Sequence, residues 1–155
     1  MGVQSNAQRE VQLLAEWLGT LPAGWRSKTH IRVGSQTLVY QGVRLSPARA
    51  RAFEVWSDWA DVRVFTGTEV WIVEAKIVGT AEAYGQVLDY CQQYPESEDY
   101  QQFAPAPIAP LVLCAFEKRR SATYFARFGV RTVIFTPTWA ATTLATKVFG
   151  SLVDL

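Results

Sequence analysis

Cysteine and long apolar runs are both scarce in this chain of 155 residues. Cys91 and Cys114 lack CxxC spacing, which excludes a disulfide framework and a zinc site, and their apolar neighbours indicate two buried thiols. No apolar run approaches the roughly 18 residues of a membrane span, and the polar first residues lack a signal-peptide core. We therefore expect a soluble, cytoplasmic protein that does not contact membranes.

An excess of positive charge is also missing. Lys and Arg number 15 against 14 Asp and Glu, so the formal net charge is +1. A protein that holds DNA by bulk electrostatics is usually far more basic, so nucleic-acid contact must rest on local basic patches. The sequence also lacks a GxxxxGK[ST] nucleotide loop, a GxSxG nucleophile elbow, and helix-turn-helix, zinc-finger and RNP motifs.

Apolar and aromatic residues, by contrast, are plentiful. Hydrophobic residues form 49% of the chain and charged residues 19%, with six Trp and eight Phe. This composition supports a folded core and excludes disorder, and the aromatic surplus predicts an aromatic-rich core or interface. The length suits one domain over residues 1–155.

The pattern of apolar residues predicts alternating helices and strands. We expect helices at 7–18, 47–59, 81–93, 120–128 and 138–152. We expect strands at 29–33, 37–43, 61–65, 69–77, 111–116 and 130–135, and a polar, proline-rich surface loop at 95–110. Because the last strands alternate with helices, the predicted fold class is α/β, with a central mixed sheet flanked by helices on both faces.

The clearest predicted hairpin has a second arm that ends in polar residues. Glu74 and Lys76 are two positions apart on this strand, so their side chains share a face. If Phe65 pairs with Val70 across the turn, Asp61 lies opposite Glu74, with Cβ atoms about 5 Å apart. A slip of one residue would place Asp61 on the other face. The alternative interpretation is an ordinary Glu–Lys pair on a solvated strand end.

Carboxylates beside a cation suit the hydrolysis of a phosphodiester. A catalytic metal ion needs hard oxygen ligands close together, and the charge that develops on phosphate needs a positive group. The hairpin supplies both kinds of group within one small region.

These residues resemble a known motif. Asp61, then twelve residues, then Glu74-Ala75-Lys76 resembles the D…(D/E)xK signature of the PD-(D/E)XK nuclease superfamily, with Ala60 where the motif's name has Pro. The segment Gln86-Val-Leu-Asp-Tyr90 is similar to the QxxxY helix motif of its RecB-like branch, which includes Cas4-type nucleases. The resemblance is continuous over about residues 59–90 and implies a restriction-endonuclease-like core.

The resemblance implies a metal-dependent nuclease that hydrolyses DNA with Mg²⁺ or Mn²⁺. Asp61 and Glu74 would hold one or two metal ions, with the carbonyl of Ala75 as a further ligand. The branch often has one more ligand, for which this sequence offers His30 or, on the first helix, Glu10 or Glu16.

The resemblance also implies roles for the remaining motif residues. Lys76 would orient the attacking water or stabilise the transition-state charge. Gln86 and Tyr90 lie four residues apart on one helix face, where they would position the DNA strand or Lys76. Core packing is an equally good interpretation of Tyr90.

Two basic clusters are candidates for DNA contact, which would be independent of base sequence. Solvated loop charge is the alternative for each. The clusters are Arg26, Lys28 and Arg32, and Lys118, Arg119 and Arg120.

Two other functions stay open at this point. The chain could be a nuclease-fold protein with an assembly role in a phage particle, at the head–tail junction, with little or no catalysis. Low net charge, surplus aromatics and the proline-rich loop fit such a virion protein, which would bind protein partners or form a homo-oligomer. The third possibility is a nucleic-acid-binding module without catalysis. A phage or mobile-element origin is an expectation that no residue carries.

Overall fold

The computed structural model describes residues 4–34, 39–40, 42–44, 46 and 58–142. Within them the helices are α1 (Asn6–Leu18), α2 (Ala81–Gln93), α3 (Glu98–Gln101) and α4 (Arg119–Ala126), with a 3-10 turn at Tyr94–Glu96. The strands are β1 (Arg26–Arg32), β2 (Val39–Tyr40), β3 (Val43–Arg44), β4 (Trp59–Phe65), β5 (Val70–Gly79), β6 (Ile108–Glu117) and β7 (Arg131–Ile134).

Five of these strands form one mixed sheet in the order β1-β4-β5-β6-β7. β1, β4 and β5 pair antiparallel, whereas β6 and β7 join in parallel. The parallel connections carry helices, since α2 and α3 lie between β5 and β6, and α4 lies between β6 and β7. β2 and β3 form a separate two-stranded ribbon. The predicted α/β class with a mixed sheet is confirmed.

Helices cover both faces of the sheet, as predicted. On one face, α1 buries Leu13 and Trp17 against strand residues that include Val73. On the other, α2 buries Tyr84 and Val87 in the core that also contains Val70, Ile72 and Val112. α1 starts at a capping box in which Ser5 and Gln8 each accept a hydrogen bond from the other's backbone N–H. No helix among the described residues is long and apolar enough to cross a membrane.

The predicted surface loop at 95–110 is wrong. Its first half folds into the 3-10 turn and α3, where the Ser97 hydroxyl accepts the Tyr100 N–H, and β6 already begins at Ile108. Phe103 is buried, and the Tyr100 hydroxyl donates to the Ala106 carbonyl. Side-chain contacts therefore hold a segment whose composition alone predicts polyproline structure.

Other element boundaries also differ from prediction. The predicted helix 47–59 does not include Trp59, which begins β4, and 47–57 lie outside the described residues. The predicted strand 37–43 is interrupted before β3 by Gly42, whose positive φ of 77° makes a turn. β1 starts at Arg26 rather than Thr29 because Arg26 pairs with the far end of β4. Residues 138–142 are helical, and the rest of the predicted last helix lies beyond the described part.

Candidate active site

β4 and β5 pair in the predicted register, from Phe65 with Val70 to Val62 with Val73. The next position places Asp61 opposite Glu74. There the contact with β5 is made by the Asp61 side chain and not by a backbone carbonyl. Its Oδ2 accepts a hydrogen bond of 2.7 Å from the Ala75 N–H. The two carboxylates therefore meet at the point where the backbone ladder between these strands ends.

Lys76 supplies the cation of this site. Its Nζ lies 3.3 Å from Glu74 Oε1, and the two side chains share one face of β5. The Glu74 side chain is only 6% exposed, whereas that of Lys76 is 33% exposed. A charged substrate can therefore reach the ammonium group, while the carboxylate stays shielded behind it.

The two carboxylates of the site carry more negative charge than Lys76 neutralises. Burial and the neighbouring Asp61 carboxylate raise the pKa of Glu74 to about 7, although Lys76 opposes the rise. Burial also raises the pKa of Asp61, against the Ala75 N–H and Lys76. The pKa of Lys76 is raised: burial lowers it, but the carboxylates of Glu74 and Glu10 more than offset that effect. A further cation between the two acids would relieve this imbalance.

The donor set fits a hard divalent cation with few protein ligands. Among the described residues, no group of three or more His, Cys, Asp or Glu side chains is arranged to hold a metal ion. Mg²⁺ is commonly bound by one or two carboxylates and keeps several waters. Asp61 and Glu74 would supply the two carboxylates, and the carbonyl of Ala75 remains a predicted ligand.

His30 lies beside the site in an unusual conformation. It has a φ of +53° in the middle of β1, where the flanking pairs Thr29–Val62 and Ile31–Ala60 bracket Asp61. Burial raises the pKa of Asp61, and the charge of His30 is among the groups that oppose this rise. The imidazole stacks on Trp59, with ring centroids 4.2 Å apart and planes within 5°. Its role as a metal ligand stays a prediction.

Of the two predicted QxxxY residues on α2, Tyr90 lies within electrostatic range of the two acids. Burial and the Glu74 carboxylate raise the pKa of Tyr90 to about 12, so its hydroxyl stays protonated beside the two acids. The Oε1 atom of Gln86 is buried and has no hydrogen-bond partner among the described residues. A buried carbonyl oxygen without a donor is costly, and the role of Gln86 in positioning a strand or Lys76 stays a prediction.

The two glutamates of α1 have different surroundings. The charge of Glu10 acts on both Glu74 and Lys76, so it lies within electrostatic range of the site. Glu16 instead accepts hydrogen bonds from the Thr138 N–H and hydroxyl, at 2.8 and 3.2 Å. Of the two predicted alternatives on the first helix, Glu10 is therefore the one whose charge acts on Glu74 and Lys76.

The predicted basic clusters are partly engaged within the protein. Arg26 donates to the Gln102 side chain at 2.9 Å, and Lys28 lies 3.8 Å from the Asp99 carboxylate. Lys118, Arg119 and Arg120 are exposed around the start of α4, where the two arginines line a shallow cavity with Tyr124 and Arg127. DNA contact by either cluster stays a prediction.

The cysteines have no part in the site. Burial raises the pKa of Cys91 to about 12 and that of Cys114 to about 11, and both are free thiols. Burial therefore disfavours the thiolate of both residues, which argues against their use as nucleophiles.

Two features near the site are only weakly signalled in the sequence. Trp59, which stacks on His30, stands two residues before Asp61 in the sequence, and that adjacency was the available signal. Arg63 forms a buried ion pair with Asp99, with Nε 2.8 Å from Oδ2. A lone arginine within the apolar run of β4 was the signal for a buried partner.

Replacing Glu74 by Gln is expected to stabilise the metal-free protein at alkaline pH. The folded-state pKa of about 7 exceeds the ordinary 4.5, so the wild type loses stability as pH rises between these values. Gln cannot ionise, so the variant should gain about 1–3 kcal/mol at about pH 8 and nothing below about pH 4.5. Urea unfolding in EDTA measures both.

Glu69→Gln is the matched control for this substitution. Its pKa is lowered by hydrogen bonds from Arg131 and Trp71, so the same chemical change should lower stability at alkaline pH. If Glu74→Gln were equally stabilised in acidic and in alkaline solution, this result would contradict the conclusion that the ionised Glu74 carboxylate destabilises the folded protein.

No protein-family model and no curated protein matches the chain. Among solved structures, the chain is similar to the crystal structure of a repair endonuclease from Pyrococcus abyssi, with a TM-score of 0.43 and 8% sequence identity. The similarity covers 88% of this chain and 49% of that one, so the chain spans about half the length of that structure.

Proposed function

We propose that this chain is a nuclease that hydrolyses DNA phosphodiester bonds with Mg²⁺ or Mn²⁺. The observation that carries the proposal is the meeting of Asp61, Glu74 and Lys76 where β4 and β5 part. An ordinary Glu–Lys pair on a solvated strand end would not be buried, nor would burial raise the pKa of its carboxylate to about 7.

Each residue has a physical role in this mechanism. A divalent ion, when bound, supplies Lewis-acid activation of the phosphate and of an attacking water. Asp61 would hold it with the carboxylate oxygen that the Ala75 N–H leaves free, and Glu74 would hold it from the facing strand. Lys76 would meet the charge that develops on phosphate. The protonated hydroxyl of Tyr90 can donate a hydrogen bond to the substrate strand.

Cleavage and metal binding test the proposal separately. Purified protein should degrade linear or plasmid DNA with Mg²⁺ or Mn²⁺ and stop when EDTA is added. Failure to cleave any single- or double-stranded DNA with either ion would overturn the proposal.

Metal binding should also raise thermal stability. At 100 times its Kd, a ligand that binds only the folded state adds about 2.7 kcal/mol, which for this size corresponds to roughly 5–11 °C in Tm. The shift with Mn²⁺ should disappear in Asp61→Asn and persist in Glu96→Gln, which alters an exposed acid. An equal shift in both variants would place the metal elsewhere.

One observation keeps the assembly function as a second candidate. Tyr124 and Phe128 of the α4 region are about half exposed, with ring centroids 5.5 Å apart. Exposed aromatic pairs are typical of protein interfaces. A defined oligomer that dissociates in Tyr124→Ser/Phe128→Ser, combined with no metal-dependent cleavage, would favour this function.

A further inference from the structure

A cavity of about 360 Å³ opens beside the candidate active site. His30 and Trp59 line it together with Lys28 and Arg32, and Asp99 and Gln102 complete the far side. Its volume lies within the range of about 300–1,000 Å³ that small-ligand pockets show. His30, which lines the cavity, lies between the strand pairs that flank Asp61, so the cavity lies on the Asp61 side of the site.

The aromatic wall of this cavity suits a flat ring. His30 and Trp59 stack in parallel, and the His30 side chain is exposed. A third aromatic plane can therefore extend the stack from the cavity side. The left-handed φ of His30 is unfavourable for a residue with a side chain. Such strain persists where the surrounding structure requires it and is concentrated at ligand sites.

The charges around the cavity suit a nucleotide strand. The carboxylate of Asp99 is neutralised by Arg63 at 2.8 Å and approached by Lys28 at 3.8 Å. Lys28, which is exposed and lies 3.8 Å from this already neutralised carboxylate, can therefore meet a backbone phosphate, with Glu98 as the other acid that lines the cavity.

We propose that this cavity binds an unpaired nucleobase of the substrate, stacked on His30 and Trp59, next to the phosphate that is cleaved. The inference rests on the proposed nuclease function and names its substrate class as strands with accessible bases. A base within a duplex has both faces covered by its neighbours, so it must first leave the stack to enter. An unpaired base stacks without this cost.

Binding in EDTA tests the subsite without catalysis. A fluorescein-labelled oligothymidine strand should bind more tightly than the same sequence as a duplex, as measured by anisotropy. Loss of one stacking contact should weaken binding about 5- to 150-fold, and the variants His30→Asn and Trp59→Leu should each show this. Asn removes the ring but tolerates a left-handed backbone. Trp25→Leu is the matched control, because Trp25 packs edge-on against Trp71 on the α1 face.

If Trp59→Leu fails to fold, a change in the DNA strand, rather than in the protein, can test the same stacking contact. A strand in which abasic sites replace the bases keeps its phosphates, and the wild type should bind it about 5- to 150-fold more weakly. His30→Asn should no longer distinguish the two strands. Equal affinity of the wild type for both strands, or an unchanged preference in His30→Asn, overturns the inference. In that case, a measurement of whether Mn²⁺ supports cleavage of the same oligonucleotide still tests the proposed nuclease function independently.

Discussion

Lys76→Met is expected to reduce cleavage about 10²- to 10³-fold, as the loss of one group that stabilises transition-state charge typically does. The ammonium lies 3.3 Å from Glu74 and is partly exposed, so it is placed to meet the phosphate. Single-turnover kinetics with saturating Mn²⁺ measure the effect on the chemical step alone.

The Lys76→Met substitution should also change the pKa of Glu74, and this effect must be distinguished from the slower cleavage. Lys76 opposes the rise in the pKa of Glu74, so its removal should raise that pKa above about 7 and weaken metal binding at neutral pH. Raising the pH to about 8.5 ionises Glu74 again and should restore metal affinity. The loss in the cleavage rate should persist there, because Met supplies no positive charge.

Arg131→Met is the control for the loss of a cation. Its ion pair with Glu69 is half exposed, so the substitution should cost little stability and leave cleavage unchanged. If Lys76→Met recovers wild-type rates at high pH and saturating metal, Lys76 only tunes Glu74 and does not act on the phosphate.

The part of this site that was predictable from sequence is the part set by local rules. The register of β4 on β5 follows from a short turn and from alternation, which together place Asp61 opposite Glu74. The helical period likewise puts Gln86 and Tyr90 on one face of α2. Local pattern therefore sufficed to predict the strand register that brings Asp61 and Glu74 together, while the catalytic roles stay a prediction.

The features that were not predictable depend on distant partners or on rare backbone states. α3 is only four residues long, and its order comes from contacts such as that between Asp99 and Arg63, which is 36 residues away in the sequence. No sequence rule assigns His30 a positive φ within a strand, because that conformation is uncommon for any residue with a side chain. The cavity beside the site follows from both features, so it could be recognised only in three dimensions.

Asp99→Ala is expected to destabilise the protein by about 3–5 kcal/mol, because it leaves a buried guanidinium without its counter-charge. Arg63 is 4% exposed and makes two hydrogen bonds to Asp99, of 2.8 and 3.1 Å. The Tyr94 hydroxyl donates a third to the same carboxylate, at 2.7 Å. Urea unfolding at neutral pH measures the loss, with Glu96→Ala, an exposed acid, as the control expected to change stability by less than about 0.5 kcal/mol.

The double variant Arg63→Met/Asp99→Ala distinguishes two effects on stability: the loss of the ion pair, and the presence of one buried charge without a partner. Removing both partners leaves no buried ion, so the double variant should be more stable than Asp99→Ala alone. The pKa of Asp99 is lowered: burial raises it, but Arg63 and Tyr94 more than offset that effect. The pair therefore stabilises the protein above the ordinary carboxyl pKa of 3.8, and this contribution is lost as pH falls below it. A double variant no more stable than Asp99→Ala would show that the contacts, rather than the charge, hold α3 against β4.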